Sequence, residues 1–487
     1  MNQEGADMLE FQEGFFDQEI REGFYLDTTM KTVWASEMEV LQRVAEVCDK
    51  YGLTWYAAYG TLLGAIRHEG FIPWDDDLDI WVIRDDYNKL MEVLPGELPK
   101  GYLVRGPLAN EENDQFHTCV NNGNKISIEK EWLEQFHNCP FTVGIDIFPL
   151  DYLPRDEEKR EKQKKLYLLT SRIAQLARRL DRREYDVQDG ASEEEIQKRI
   201  QGFKQEIEQG ITYLEKKHHF SINRRLLKEE KWYSLCSEML KWANRIAMMY
   251  HEEESDYLAM FADYYKWEYK IFPKEWFSEV YGAAFENFML PVPSGYDQLL
   301  KKIYGDYWVY AKKAGQHDYP CYAKQLKQLR EYAEQGDEEE SKEISDEWLP
   351  IVTRKDGSRK KLVLSANDPN MFVTAGDKAL DKLEETLKVF EAKKDQFALW
   401  WRPYPAMKEI LDQVSPDLGG RYQYILESYK AAGWGICDES SNMDRAVENC
   451  DAYYGDMNAI LQPFQNAEKP ILIVRIGSEG TGHEQEH

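Results

Sequence analysis

One stretch limits the fold of this chain more than any other: Trp74-Asp75-Asp76-Asp77-Leu78-Asp79-Ile80, which runs directly into Trp81-Val82-Ile83. Side chains alternate faces along a strand, so Asp77 and Asp79 point one way while Leu78 and Ile80 enter a core. Leu78 to Ile83 is therefore expected as a buried strand. A second acid, Asp146, interrupts the apolar run Gly144-Ile145-Asp146-Ile147-Phe148, which reads as another buried strand ended by a proline, Pro149. A carboxylate in such a strand is costly unless a cation or a hydrogen-bond partner meets it.

An acidic run is more often a solvated turn than a site, but the setting here argues otherwise. A helix is expected from Lys31 to Lys50, with Val40, Val44 and Val47 as its apolar stripe and Gly52 as its stop. Leu53 to Tyr59 then reads as a short strand that delivers the chain into Gly60-Thr61-Leu62-Leu63-Gly64, a glycine turn opening a helix. Backbone N–H groups at Gly60, Thr61 and Gly64 can approach a phosphate, with Arg67 further along as a charge partner. Asp77 and Asp79, crowded together, want a hard divalent cation with oxygen ligands, and such a cation offsets the charge that develops in phosphoryl transfer.

These segments resemble the successive motifs of the LicD-type phosphotransferases: Tyr59 to Gly64, Arg67, Trp74 to Ile80, and Gly144-Ile145-Asp146-Ile147-Phe148-Pro149-Leu150-Asp151. The resemblance spans about Tyr51 to Asp151 and resumes at Phe272 to Trp308. It implies a nucleotidyltransferase fold and transfer of phosphocholine, or of ribitol phosphate as in fukutin-type relatives. Asp77, Asp79 and Asp146 would then be catalytic and hold Mg2+ or Mn2+. Gly60, Thr61, Gly64 and Arg67 would face the donor phosphate, with Asp75, Asp76 and Asp151 supporting. The implied partners are a CDP-activated alcohol such as CDP-choline and a glycan or glycolipid acceptor, in lipopolysaccharide or teichoic acid modification.

Composition removes other classes. A formal charge of −28 argues against a protein that wraps nucleic acid or lies on anionic lipid. No membrane span is expected, and an acidic stretch from Met1 to Gly23 does not read as a signal peptide, so a cytoplasmic protein is expected, working at most at the inner face of the membrane. The seven cysteines include no CxxC pair and are expected as reduced thiols, with zinc through cysteine set aside. His218 and His219 read as part of a solvated helix face.

The fold expected is α/β: an α+β nucleotidyltransferase core with a large helical insertion, followed by a Rossmann-like parallel-sheet domain. Residues 1–153 would form the catalytic core, and 154–330 the helical insertion and closing region. In that insertion Leu166, Leu169, Ile173, Leu176 and Leu180 mark a helical hairpin packed on its own domain. An acidic linker is expected at 331–350 and a tail at 477–487. In 351–476 a hairpin at Asp356-Gly357, between Ile351-Val352 and Leu362-Val363-Leu364, would start strands at Leu362 to Ser365, Ala398 to Trp401, Trp434 to Cys437, Ala452 to Tyr454 and Ile471 to Val474. This part, with Arg402-Pro403-Tyr404-Pro405 and Ala452-Tyr453-Tyr454-Gly455-Asp456, is similar to half of a two-domain glycosyltransferase or glycerophosphotransferase. Two alternatives stand beside phosphotransfer: a nucleotidyltransferase passing an NMP to a small-molecule or sugar hydroxyl, and a non-catalytic glycan-binding protein.

Overall fold

The computed structural model describes residues 8–109, 112–185, 191–264, 270–310, 320–322, 325, 328–329, 343–440, 443–455, 464 and 469–473. The chain divides into two compact units, the first comprising 1–16 and 29–326 and the second 17–28 and 327–487. Most of the expected acidic linker, the residues after Gly455 in the tyrosine motif, and the tail lie outside the described residues.

The hairpin β1 (Glu19–Arg21) and β2 (Phe24–Leu26) belongs to the second unit, although the sequence reading placed all of 1–153 in the catalytic core. Tyr25 explains the assignment. Its ring is buried with Val373 and Ile410, and its backbone N–H donates to Asn370 Oδ1 at 2.7 Å.

In the first unit, α1 (Thr28–Tyr51) buries Val40, Val44 and Val47, and Gly52 ends it at φ +66°, a conformation that costs a glycine little. The main sheet has the order β3 (Trp55–Ala57), β4 (Leu78–Ile83), β7 (Gly144–Pro154), β6 (Thr118–Asn121), β5 (Leu103–Arg105). Strands β4 and β7 are parallel, and β6 runs antiparallel to β7. Beyond Leu150, β7 pairs with β8 (Ser255–Ala259), which pairs with β9 (Ile271–Pro273).

Pro149 does not end β7, contrary to the sequence reading. It sits between the stretch bonded to β6 and the stretch bonded to β8, and lies opposite Val82 in the β4 ladder. The glycine segment also differs. Helix α2 already begins at Tyr59 and runs to Arg67, so Gly60 to Gly64 are helical residues rather than a turn before a helix. A hairpin of β10 (Val280–Phe285) and β11 (Phe288–Pro293) packs beside it, bringing Phe285 within 3.3 Å of where a Gly64 side chain would begin.

The insertion is helical, as expected. After α3 (Arg84–Glu97) and the short α4 (Lys130–Gln135) come α5 (Glu157–Arg182), α6 (Glu193–His218), α7 (Arg224–Lys228) and α8 (Trp232–Ala247). Leu166, Ile173, Leu176 and Leu180 of α5 share a core with Ile207 and Ile211 of α6 and Leu235 and Met239 of α8, and Leu169 packs at its margin. Each such fully buried leucine contributes about 1.5–3 kcal/mol, so the stripe serves the interior of its own unit. Ser192 and Glu195 form a capping box at the start of α6, and His219 caps its end at φ +59°.

The second unit carries an all-parallel sheet of order β14 (Ile436–Cys437), β13 (Phe397–Arg402), β12 (Lys361–Ala366), β15 (Ala452–Gly455), β16 (Ile471–Ile473). Its five strands fall where the alternating pattern places them, with crossover helices between. The hairpin at Asp356-Gly357 is not formed as expected. Leu349–Val352 is a helical turn, only Thr353 and Arg359 bridge, and β12 pairs in parallel with β13 and β15. The apolar residues on both sides of the turn serve buried surfaces rather than each other, which overrides the local turn signal.

Candidate active site

The parallel register of β4 and β7 sets Asp79 opposite Asp146, and the antiparallel register of β6 and β7 sets Asp146 opposite Cys119. Three strands thus carry a row of metal-ligand side chains across one face of the sheet. Asp77 precedes β4 on the same face as Asp79. Asp75 and Asp77 come up against the first turn of α2, where a Cβ at Gly60 would stand 2.3 Å from Asp75 Oδ2 and 3.9 Å from Asp77 Oδ1. Gly60 is therefore required by the close approach of carboxylates to the helix start, whose unsatisfied N–H groups favour negative charge. Tyr59 enters this turn at φ +42°, an uncommon conformation for an aromatic residue.

The electrostatics follow. Burial, then the carboxylates of Asp77, Asp146 and Asp75, push Asp79 well above the usual carboxylate range, while Lys270 works in the opposite sense. Lys270 is itself buried, with its ammonium 4.3 Å from the centre of the Tyr59 ring. Burial and the adjacent Asp146 carboxylate likewise hold the Cys119 thiol well above its ordinary value. His117, one residue before β6, shares a hydrogen bond of 2.9 Å with Asp146 through Nε2, and its ring lies 4.5 Å from that of Phe148.

The remaining sequence-predicted residues take varied positions. Thr61 is buried, and its hydroxyl accepts from the Asp79 N–H at 2.8 Å, tying α2 to β4. Gly64 makes room for the Gly70 carbonyl, which a Cβ would meet at 2.5 Å. Arg67 lies at the far end of α2, donates to the Tyr307 carbonyl at 2.6 Å and stacks on Tyr310 at 4.7 Å. Asp76 is buried and accepts from the Cys321 N–H at 2.6 Å, while Glu37 of α1 is pushed well above its usual range by burial, then Asp76 and Asp77. Asp151 is buried beside Arg84 at 2.5 Å, and Arg84 also reaches Asn244 of α8 at 3.0 Å, so this pair joins the sheet to the helical insertion.

His117, Cys119 and Lys270 were missed in the sequence. The His-x-Cys spacing would have put the first two on one strand face; Lys270 carries no local signal. Among the described residues, the group of three whose ligand atoms all lie within 4.8 Å of one another is His117, Cys119 and Asp146. All seven cysteines are free thiols, and no described helix is long and apolar enough to cross a membrane.

The sheet is mixed, and its acidic row stands against the first turn of α2. Residues 52–138 match the family described as LicD/FKTN/FKRP, nucleotidyltransferase domain. The chain is 27% identical over 277 residues to the lipopolysaccharide cholinephosphotransferase LicD of Haemophilus influenzae, covering 55% of this chain and 88% of that protein. Uncharacterised proteins of Rickettsia prowazekii and Rickettsia typhi are 39% and 36% identical over 66 and 67 residues, each 14% of this chain and 25% and 22% of those proteins. Residues 52–138 thus carry a LicD-type nucleotidyltransferase domain, and over 55% of its length the chain is similar to a LicD-type phosphotransferase.

Proposed function

We propose that the first unit moves phosphocholine, or a related alcohol phosphate, from a CDP-activated donor to a hydroxyl of a cell-surface glycan or its precursor, with Mg2+ or Mn2+. The observation that carries this reading is the register pairing of Asp79 with Asp146, with Asp77 on the same face and both Asp75 and Asp77 against Gly60. Carboxylates held this close fit a hard dication, since burial first, and then the repulsion of Asp77, Asp146 and Asp75, raise Asp79. When bound, the cation would neutralise phosphate oxygens and offset charge developing during transfer. Asp77, Asp79 and Asp146 would hold it, the first turn of α2 would offer N–H groups to the donor phosphate, and the Lys270 ammonium would supply positive charge for a further phosphate oxygen. The all-parallel second unit supports a nucleotide- or glycan-binding role, because such sheets bind ligands outside the carboxyl ends of their strands.

The test is turnover by the full chain with CDP-choline, Mg2+ or Mn2+ and glycan acceptors. The expected products are CMP and a phosphodiester on the sugar. Release of pyrophosphate from a nucleoside triphosphate, without CMP from CDP-choline, would establish the nucleotidyltransferase alternative instead.

A further inference from the structure

The row of side chains across β4, β7 and β6 changes chemical character along its length. At the β4 end it offers only carboxylate oxygens. At the β6 end it offers an imidazole nitrogen, a sulfur and one carboxylate. His117 and Cys119 are two residues apart, so alternation turns both to the face of Asp146, and the antiparallel register puts Cys119 directly opposite that acid. The His117–Asp146 contact is 2.9 Å, and all three ligand atoms lie within 4.8 Å of one another. Metal–ligand bonds of about 2.0–2.3 Å at tetrahedral angles put ligand atoms about 3.3–3.8 Å apart, within that limit.

Ligand chemistry decides which ion. Mg2+ demands oxygen in near-octahedral array, whereas sulfur and imidazole together select zinc among the common divalent ions. Charge agrees, because one carboxylate and one thiolate balance one dication. The lack of a CxxC pair, which set zinc aside in the sequence, excludes only sites built from cysteine pairs.

We propose that His117, Cys119 and Asp146 bind a zinc ion, distinct from the hard cation assigned to Asp77, Asp79 and Asp146, with the Asp146 carboxylate shared between the two. Three protein ligands leave a fourth position for water or a phosphate oxygen, the arrangement of catalytic rather than structural zinc. Binding converts the Cys119 thiol to thiolate and releases its proton. The inference shares Asp146 with the proposed transferase centre but does not depend on the identity of the donor.

The experiment is a titration of the chelator-treated full chain with Co2+, read by absorption. The expected result is a thiolate-to-cobalt charge-transfer band that saturates at one equivalent, is displaced by Zn2+ and is indifferent to Mg2+. Cys119→Ser should abolish the band, and Asp77→Asn should leave it. Loss of Zn2+ affinity in His117→Ala should exceed the roughly 100-fold that removal of a supporting partner costs. A wild-type protein without the band, or a band that survives in Cys119→Ser, overturns the proposal, and neither outcome depends on a variant folding well. Metal-dependent CMP release that persists without the band would leave the transferase reading intact, and a band without CMP release would do the reverse.

Discussion

Asp79 in the first unit and Asp438 in the second both stand at buried strands, and their surroundings are opposites. Burial pushes Asp438 up, but the Ser440 hydroxyl, the Arg402 guanidinium at 2.5 Å and the Trp400 N–H at 2.9 Å together hold it below the usual range. Arg445 adds a second guanidinium at 3.4 Å. Asp79 instead looks onto Asp77, Asp146 and Asp75, and is raised. The second unit shows what this chain does with an acid that only has to be buried: it supplies arginines. The first unit gathers like charges, a local cost that makes sense where a ligand is to supply the missing positive charge. The same contrast reinterprets Arg402-Pro403-Tyr404-Pro405, whose arginine is held by Asp438 and whose Tyr404 packs on Tyr25.

The sharpest way to break this contrast is to neutralise the acids of the first unit. Asp77→Asn or Asp79→Asn should lower transfer by ~1000-fold or more, roughly 4 kcal/mol of barrier. Stability of the metal-free chain should not fall. Because the folded-state pKa of Asp79 is raised, its ionisation opposes folding above the unfolded value of about 3.9, and that cost disappears as pH falls through the folded pKa. Asparagine removes the cost outright. Turnover and thermal melting with and without chelator check both halves; wild-type turnover, or a melting point well below wild type, would show that the cluster is structural. Asp146→Asn should behave alike, and a much smaller loss would move it to a supporting role.

Asp438→Asn should do the converse. Leaving Arg402 and Arg445 beside a neutral side chain should destabilise the second unit by ~3 kcal/mol at neutral pH. Here the folded pKa is depressed, so the stabilisation is present above about 3.9 and is lost as pH falls through the folded value. Urea unfolding from pH 7 to 3 should therefore show the wild-type and variant curves converging in acid. Parallel curves, or an unchanged midpoint at pH 7, would deny the arginine network its role.

What could be read from residues alone divides along physical lines. Strand β4, the five parallel strands of the second unit and the α5 stripe were legible because their periodicity is local and the burial of one face enforces it. Asp77, Asp79 and Asp146 were visible as acids misplaced in apolar strands. Pro149, Gly60 to Gly64 and Asp356-Gly357 were misread because a local signal for a turn or an end was overridden by which strand lay alongside. His117, Cys119 and Lys270 reach the site through long-range pairing, to which no window of sequence has access. The hairpin β1–β2 is the extreme case, since nothing within residues 17–28 says that it packs on Val373 and Ile410.

That hairpin supplies the smallest of the expected effects and a test of where the two units divide. The acidic stretch Glu331 to Glu347 is the proposed division, and limited proteolysis should cut there first. Residues 351–476 alone would then carry both faces of the parallel sheet but lack Tyr25, which is buried and bonded to Asn370 at 2.7 Å. Tyr25→Ala in the full chain leaves a small cavity over Val373 and Ile410 and should lower the stability of the second unit by ~2 kcal/mol, below the roughly 3–5 kcal/mol usual for a buried aromatic because only a few residues surround it. The first unit should be untouched, so the acidic cluster and its metal-dependent turnover serve as the control. Denaturant unfolding followed by fluorescence should accordingly show only the transition of the second unit moving. If both transitions shift together, residues 17–28 stabilise the chain as a whole and the contrast between two separately stabilised units fails; if neither shifts, the hairpin is an ornament on the second unit and 351–476 should unfold as cooperatively without it.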